Sequence, residues 1–167
     1  MKGFSVLLGS LLTLVSALTF AANPDFEDYP ASPVFTGANH APVPQENTSP
    51  KMEQARAQAL RGKVNFAGHY ILYRLGCGGS TLCGEVLDAR TGEVVAGLPN
   101  AYDGNTFDTV HHADSRLIII SGLTADSEED AQGNRLESRD RERYYEFVNN
   151  EFRLLTSNDL DSPPTDE

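Results

Sequence analysis

From residue 64 to residue 156 the chain alternates apolar and polar positions with the two-residue period of β-strands, interrupted by short glycine, asparagine and aspartate turns. In 68–75, His69, Ile71, Tyr73 and Leu75 fall on one face and Tyr70, Leu72 and Arg74 on the other. Both faces are mostly apolar, which predicts an interior strand with His69 within it. Residues 83–88 and 93–96 form a hairpin about Ala89-Arg90-Thr91-Gly92; Asp88 starts the turn through backbone amides and Gly92 takes the positive φ of a bulged loop. A short strand is predicted over 107–112 and a second interior strand over the apolar run 116–121. Residues 122–141 are a polar excursion, and 142–148 with 151–156 close a last hairpin about Asn149-Asn150.

Ahead of the strands the pattern changes. Ser49 followed by Pro50 is a helix start, Met52, Ala55, Ala59 and Leu60 recur at helical spacing, and Gly62 supplies a left-handed stop. The apolar stripe is narrow, so this helix should pack on a sheet. Residues 22–48 are punctuated by Pro24, Pro30, Pro33, Pro42 and Pro44 and form neither helix nor central strand. Phe26, Tyr29, Val34 and Phe35 give that segment something to bury, which predicts an extended proline-rich arm laid over the domain. The fold class is therefore mainly β (α+β): an antiparallel β-meander of six to seven strands closing as a small barrel or sandwich, with one N-terminal helix and the arm. The single domain is 49–156, and 157–167 is an acidic tail expected to fray.

Residues 1–21 have the form of a cleaved signal peptide: Lys2, an apolar stretch from Phe4 to Phe20, and small residues at Thr19 and Ala21 before the cut. Export to the periplasm or the extracellular space follows. Loss of Lys2 takes the formal charge from −11 to −12. That charge excludes nucleic acid, whose phosphates need a basic footprint, and gives no affinity for an anionic membrane surface. It suits a cationic partner. In this compartment Cys77 and Cys83 read as one disulfide; its short loop is worth about 2–2.5 kcal/mol, so it shapes a turn more than it holds the domain. The spacing is not that of a C-x-x-C redox pair.

Taken together, Asn65-Phe66-Ala67-Gly68-His69-Tyr70, Gly76-Cys77-Gly78 with Cys83, Asp88-x-x-Thr91-Gly92, Asp114-Ser115-Arg116-Leu117 and Arg143-Tyr144-Tyr145 resemble an uncharacterised family of small secreted bacterial proteins. The resemblance spans roughly residues 24–156 and implies export and a β-rich domain. It carries over no catalytic residue. In that family's pattern an aromatic precedes Gly-Cys-Gly and the second cysteine comes sooner; here Leu75 and a longer Gly-Gly-Ser-Thr-Leu loop stand there.

Three constellations have the residue types of chemistry. His69, His111, His112 and Asp114 are candidate metal ligands, with Asp88 as a further carboxylate, since imidazoles and a carboxylate make a zinc site when strands gather them. His111 and His112 are adjacent, and neighbouring strand residues face opposite ways, so only one of the two can join His69. Asp126, Glu128, Asp130, Asn134 and Glu137 fall in a calcium-loop register, but Ala131 stands where that loop turns on glycine, and no amphipathic helices flank it. Ser80 or Ser115 with a histidine would form a nucleophile–base pair, yet no G-x-S-x-G elbow is present and both serines sit in turns. The sequence names no catalytic residue and no cofactor. It favours an exported, soluble, non-catalytic binding protein of the cell envelope, with a cationic protein partner such as a lysozyme-like enzyme. The alternative is a metal-dependent or metal-binding protein using His69 with His111 or His112 and Asp114. Nothing in the pattern specifies an oligomeric state.

Overall fold

The computed structural model of the protein describes residues 22–160. The expected signal peptide and residues 161–167 lie outside the described residues. Among the described residues the fold is mainly β and antiparallel, with one α-helix, α1 (Pro50–Ala59). Ten strands follow in order: β1 (Tyr70–Gly78), β2 (Thr81–Asp88), β3 (Val94–Gly97), β4 (Tyr102–Asp103), β5 (Asp108–His111), β6 (Leu117–Leu123), β7 (Glu128–Glu129), β8 (Arg135–Leu136), β9 (Asp140–Val148) and β10 (Glu151–Asp159). The excess over the six or seven expected comes from two-residue strands in segments whose polarity masks them.

The ladders form two four-stranded sheets and a small ribbon, and among the described residues they do not close into a barrel. In the first sheet β2 pairs with β1 on one side and with β3 and β4 on the other. The second runs β10-β9-β6-β5, so β6 is interior as its apolar run predicts. Leu72 and Val86 of the first sheet share one apolar core with Ile118, Ile120, Tyr145 and Phe147 of the second, around Phe66, Tyr102 and Phe107. Each such side chain contributes about 1.5–3 kcal/mol by leaving water. A smaller cluster, Leu60, Ile71, Leu87 and Ala89, fills the opposite face of the first sheet. The two apolar faces of β1 thus have a cause, Ile71 in one cluster and Leu72 in the other. The strand itself is an edge strand, not an interior one, because it pairs with β2 alone.

Ser49 caps α1 by accepting the Met52 N–H, and Pro50 takes the first turn, where its missing donor costs nothing. The helix ends at Leu60 with right-handed geometry, so the stop does not depend on a left-handed Gly62. Its principal tie to the sheet is polar: buried Arg56 donates to both oxygens of Glu85 on β2, at 2.9 and 2.8 Å. The arm is held by backbone bonds along its length, from Ala31 N–H to Asp114 O, Phe35 N–H to Gly68 O, His40 N–H to Ala89 O and Val43 N–H to Gly92 O. Gly92, at φ +78°, allows the last of these, since a Cβ there would lie 1.9 Å from Ala41 O. Asn149 and Asn150 (φ 53° and 64°) make the final hairpin turn, and β10 continues to Asp159, into the segment expected to fray.

Candidate functional site

The turn at residues 65–69 is where the recurrent motifs meet. Asn65 uses its carboxamide as a strand partner, accepting from Leu72 N–H at 2.8 Å and donating to Leu72 O at 2.9 Å. Ala67 takes φ +43°, a left-handed conformation costly for a residue with a Cβ. It is held there because its N–H meets the carbonyls of His112 and Ser115, while Gly68 N–H meets Ala113 O. Ser115, almost fully buried, turns its hydroxyl toward the Phe26 and Tyr29 carbonyls of the arm and accepts Leu117 N–H. The Asn65 and Asp114-Ser115-Arg116 motifs are therefore the two halves of one clamp on the arm.

Over this clamp lies a cleft of about 160 Å³, lined by Ser32, Ala67, His69, Tyr70, Arg116, Phe147 and Asn149 among others. Larger grooves of about 460 and 370 Å³ run beside the arm, the first lined by Val34, Phe35, Lys63 and Val64 among others, the second by Pro42, Val43, Pro44, Glu53 and Arg56 among others. The chemistry-bearing side chains meet at the smaller cleft. His69 precedes β1 rather than lying within it. Its ring packs on Tyr70 with centroids 3.9 Å apart. Its Nε2 lies 2.6 Å from Arg90 Nη2 and 3.6 Å from Asp88 Oδ2. A guanidinium only donates, so Nε2 accepts and the imidazole is neutral. Burial holds the His69 pKa below its ordinary 6.5, with the charge of Arg90 adding to it and Asp88 opposing. Asp88 also caps the Arg90 N–H at 2.8 Å. Burial works against the Asp88 carboxylate, but bonds from the Arg90 side chain and backbone, with the nearby charges, outweigh it and leave Asp88 below 3.8. On the other wall Arg116 is held by Glu146 at 3.1 Å and by Pro30 O.

The remaining candidate ligands go elsewhere. The Nδ1 of His111 is buried and has no hydrogen-bond partner among the described residues, and its ring meets Phe66 edge-on. Its pKa is lowered by burial, then by Arg74 and His112. His112 stacks on Phe26 at 4.1 Å, and Asp114 is exposed. Among the described residues no group of three His, Cys, Asp or Glu side chains is placed to hold a metal ion. No family model, curated protein or solved structure matches the chain.

The calcium-register residues also diverge. Asp130 caps its own turn by accepting the Gln132 and Asn134 N–H groups, Glu137 pairs with Arg139, and Asp126 is exposed. Glu128 points inward to Arg141 and Arg143. That cluster is what sequence reading missed. Arg143 is wholly buried, giving Nε and Nη2 to Glu128 and Nη1 to the carbonyls of Gly122 and Arg141 at 2.8 and 2.9 Å. Its signal was the alternation Arg139-Asp140-Arg141-Glu142-Arg143, which puts three arginines on one face of a strand. Cys77 and Cys83 are disulfide-bonded across the β1–β2 hairpin. Cys77 and the residues around it, 76–80, are exposed.

Proposed function

We propose that the protein is an exported binding protein of the cell envelope that recognises a cationic protein partner. The observation that carries this reading is how the charges are distributed. Most of the arginines are paired within the fold: Arg56 on Glu85, Arg90 on Asp88, Arg116 and Arg153 on Glu146, Arg141 and Arg143 on Glu128, while Arg61 and Arg135 stand exposed. Outside those pairs stand exposed carboxylates such as Asp25, Glu27, Asp28, Asp126, Glu129 and Glu151. The excess of negative charge among the described residues is therefore carried at the surface, where it steers a partner of opposite sign. The His69 cleft supports recognition as well, with a neutral imidazole, the Tyr70 hydroxyl bonded to Asn150 and a guanidinium already paired. The two sheets sharing one core make a sandwich-like scaffold that holds these surfaces rigid. Pull-down from an envelope extract at low and high ionic strength tests the reading. A basic protein retained at low salt and released at high salt is expected; retention of none contradicts it.

A further inference from the structure

The outer edge of β1 carries open backbone groups, and what closes part of it shows what fits the rest. Tyr70 and Leu72 turn their N–H and C=O groups away from β2. Tyr70 exchanges bonds with Phe66 at 2.9 and 3.1 Å, and Leu72 is met by the Asn65 carboxamide. In an antiparallel ladder outward-turned residues recur every second position. Arg74, opposite Gly84, and Gly76, opposite Leu82, therefore direct their groups the same way. Among the described residues no backbone or side-chain bond meets them there, because β1 pairs with β2 alone. Beyond them the register shifts at a bulge between Gly76 and Gly78, and the ladder ends one pair later, at Gly78 and Thr81.

Gly76 does not arise from the fold's own needs. Its φ is not positive, and a Cβ placed on it would meet nothing within 4 Å. Glycine nonetheless weakens a strand by roughly 0.5–1 kcal/mol, and natural edges are usually guarded by charge, proline or cover. A bare glycine within a strand is also what close approach of another backbone requires. The geometry points to a docking edge at Arg74–Gly76 for a short extended segment of the cationic partner, which adds as a strand beside β1. The inference rests on the cationic reading above. Main-chain bonds to four groups would supply the contact and the acidic surface the encounter. A second copy has the same edge, but two chains of formal charge −11 repel. At the edge itself the Asp108 carboxylate, 70% exposed, is paired with Arg74 at 3.3 Å, a pair that a lysine or arginine of the segment would join or displace.

The test uses a peptide of alternating lysine and valine, and the same peptide N-methylated at alternate residues so that charge is kept and strand pairing lost. Binding and amide hydrogen exchange are measured at low ionic strength. Protection of the Arg74 and Gly76 amides by at least about tenfold, with Tyr70 and Leu72 unchanged and the methylated peptide without effect, is expected. Equal binding of both peptides without protection at Arg74 and Gly76 overturns the edge and leaves the cationic reading standing. Binding of neither peptide overturns both. Protection that grows with the protein's own concentration assigns the edge to a second copy and overturns the proposal.

Discussion

Removing the Glu128 carboxylate should cost more stability than any exposed ion pair in the protein. Glu128 joins β7 to β9 by accepting from both Arg143 and Arg141. Arg141 keeps Asp159 at 2.5 Å and Glu137 O at 2.8 Å if Glu128 is lost, whereas Arg143 keeps only carbonyls and stays wholly buried. Breaking a buried pair so that one charge is left uncompensated costs about 3–5 kcal/mol. That is a fifth or more of the ~5–15 kcal/mol that holds an ordinary domain, and it lowers Tm by about 6–20 °C for a chain of this size. Glu128→Gln keeps the volume and an acceptor and should lose roughly 2 kcal/mol. The double variant Glu128→Leu with Arg143→Met should recover much of the loss, since an apolar pair needs no compensation. The reference is Asp108→Ala, which breaks the Arg74–Asp108 pair with side chains 49% and 70% exposed and should cost under about 1 kcal/mol. Urea and thermal unfolding followed by circular dichroism measure all four. A Glu128→Ala cost no larger than that of Asp108→Ala would refute the reasoning.

Ser115→Ala removes the hydroxyl shared by the Phe26 and Tyr29 carbonyls and should cost about 1–3 kcal/mol while making the arm more open to limited proteolysis. An unchanged cleavage rate at residues 22–35 would argue against the clamp. Gly92→Ala forces a Cβ onto Ala41 O and demands φ +78° of a residue that resists it, so it should displace the arm and destabilise by about 2–4 kcal/mol. Stability should also fall on acidification in two steps. The folded His69 pKa lies below 6.5, so as pH drops through 6.5 the unfolded chain takes up the proton first and folding weakens; His111 adds to the same step. The Asp88 contribution is present above 3.8 and is lost as pH falls through its lower folded value. Denaturation midpoints against pH should show His69→Gln shrinking the first step, and Asp88→Asn flattening the second while enlarging the first, because the carboxylate that opposes the lowering of the His69 pKa is gone.

The elements legible in the sequence were those whose residues do a single job. Ser49 and Pro50 start a helix whatever surrounds them, Asn149-Asn150 turns a hairpin by its own backbone preference, and the run 117–120 is apolar enough to be interior anywhere. What escaped depended on pairing between distant segments. Nothing near Arg56 announces that it will be buried against Glu85, 29 residues away, beside the stripe residues Ala59 and Leu60 that pack on the sheet. The β7–β8 ribbon read as a solvated loop because its inward residue is Glu128, whose burial follows from arginines contributed by β9. The register that suggested calcium scattered for the same reason. His69 was placed within a strand because the period continues through it, yet Ala67 and Gly68 at φ +43° and +88° end that period one residue after the turn. The arm shows the reverse: Pro30 and Pro33 ruled out other structures, and Phe35 packs half-buried against the smaller cluster, although its neighbour Val34 stays exposed.

The surface charge itself offers the most direct test of the proposed function. Purified protein titrated calorimetrically with a cationic lysozyme at low ionic strength should bind, and affinity should fall steeply as salt is raised. A variant reversing Glu27, Asp28 and Asp126 to lysine, exposed residues that among the described residues lie outside every ion pair, should fold normally and bind at least about tenfold more weakly. Binding that ignores both salt and this reversal, or no binding at low ionic strength, would contradict the account.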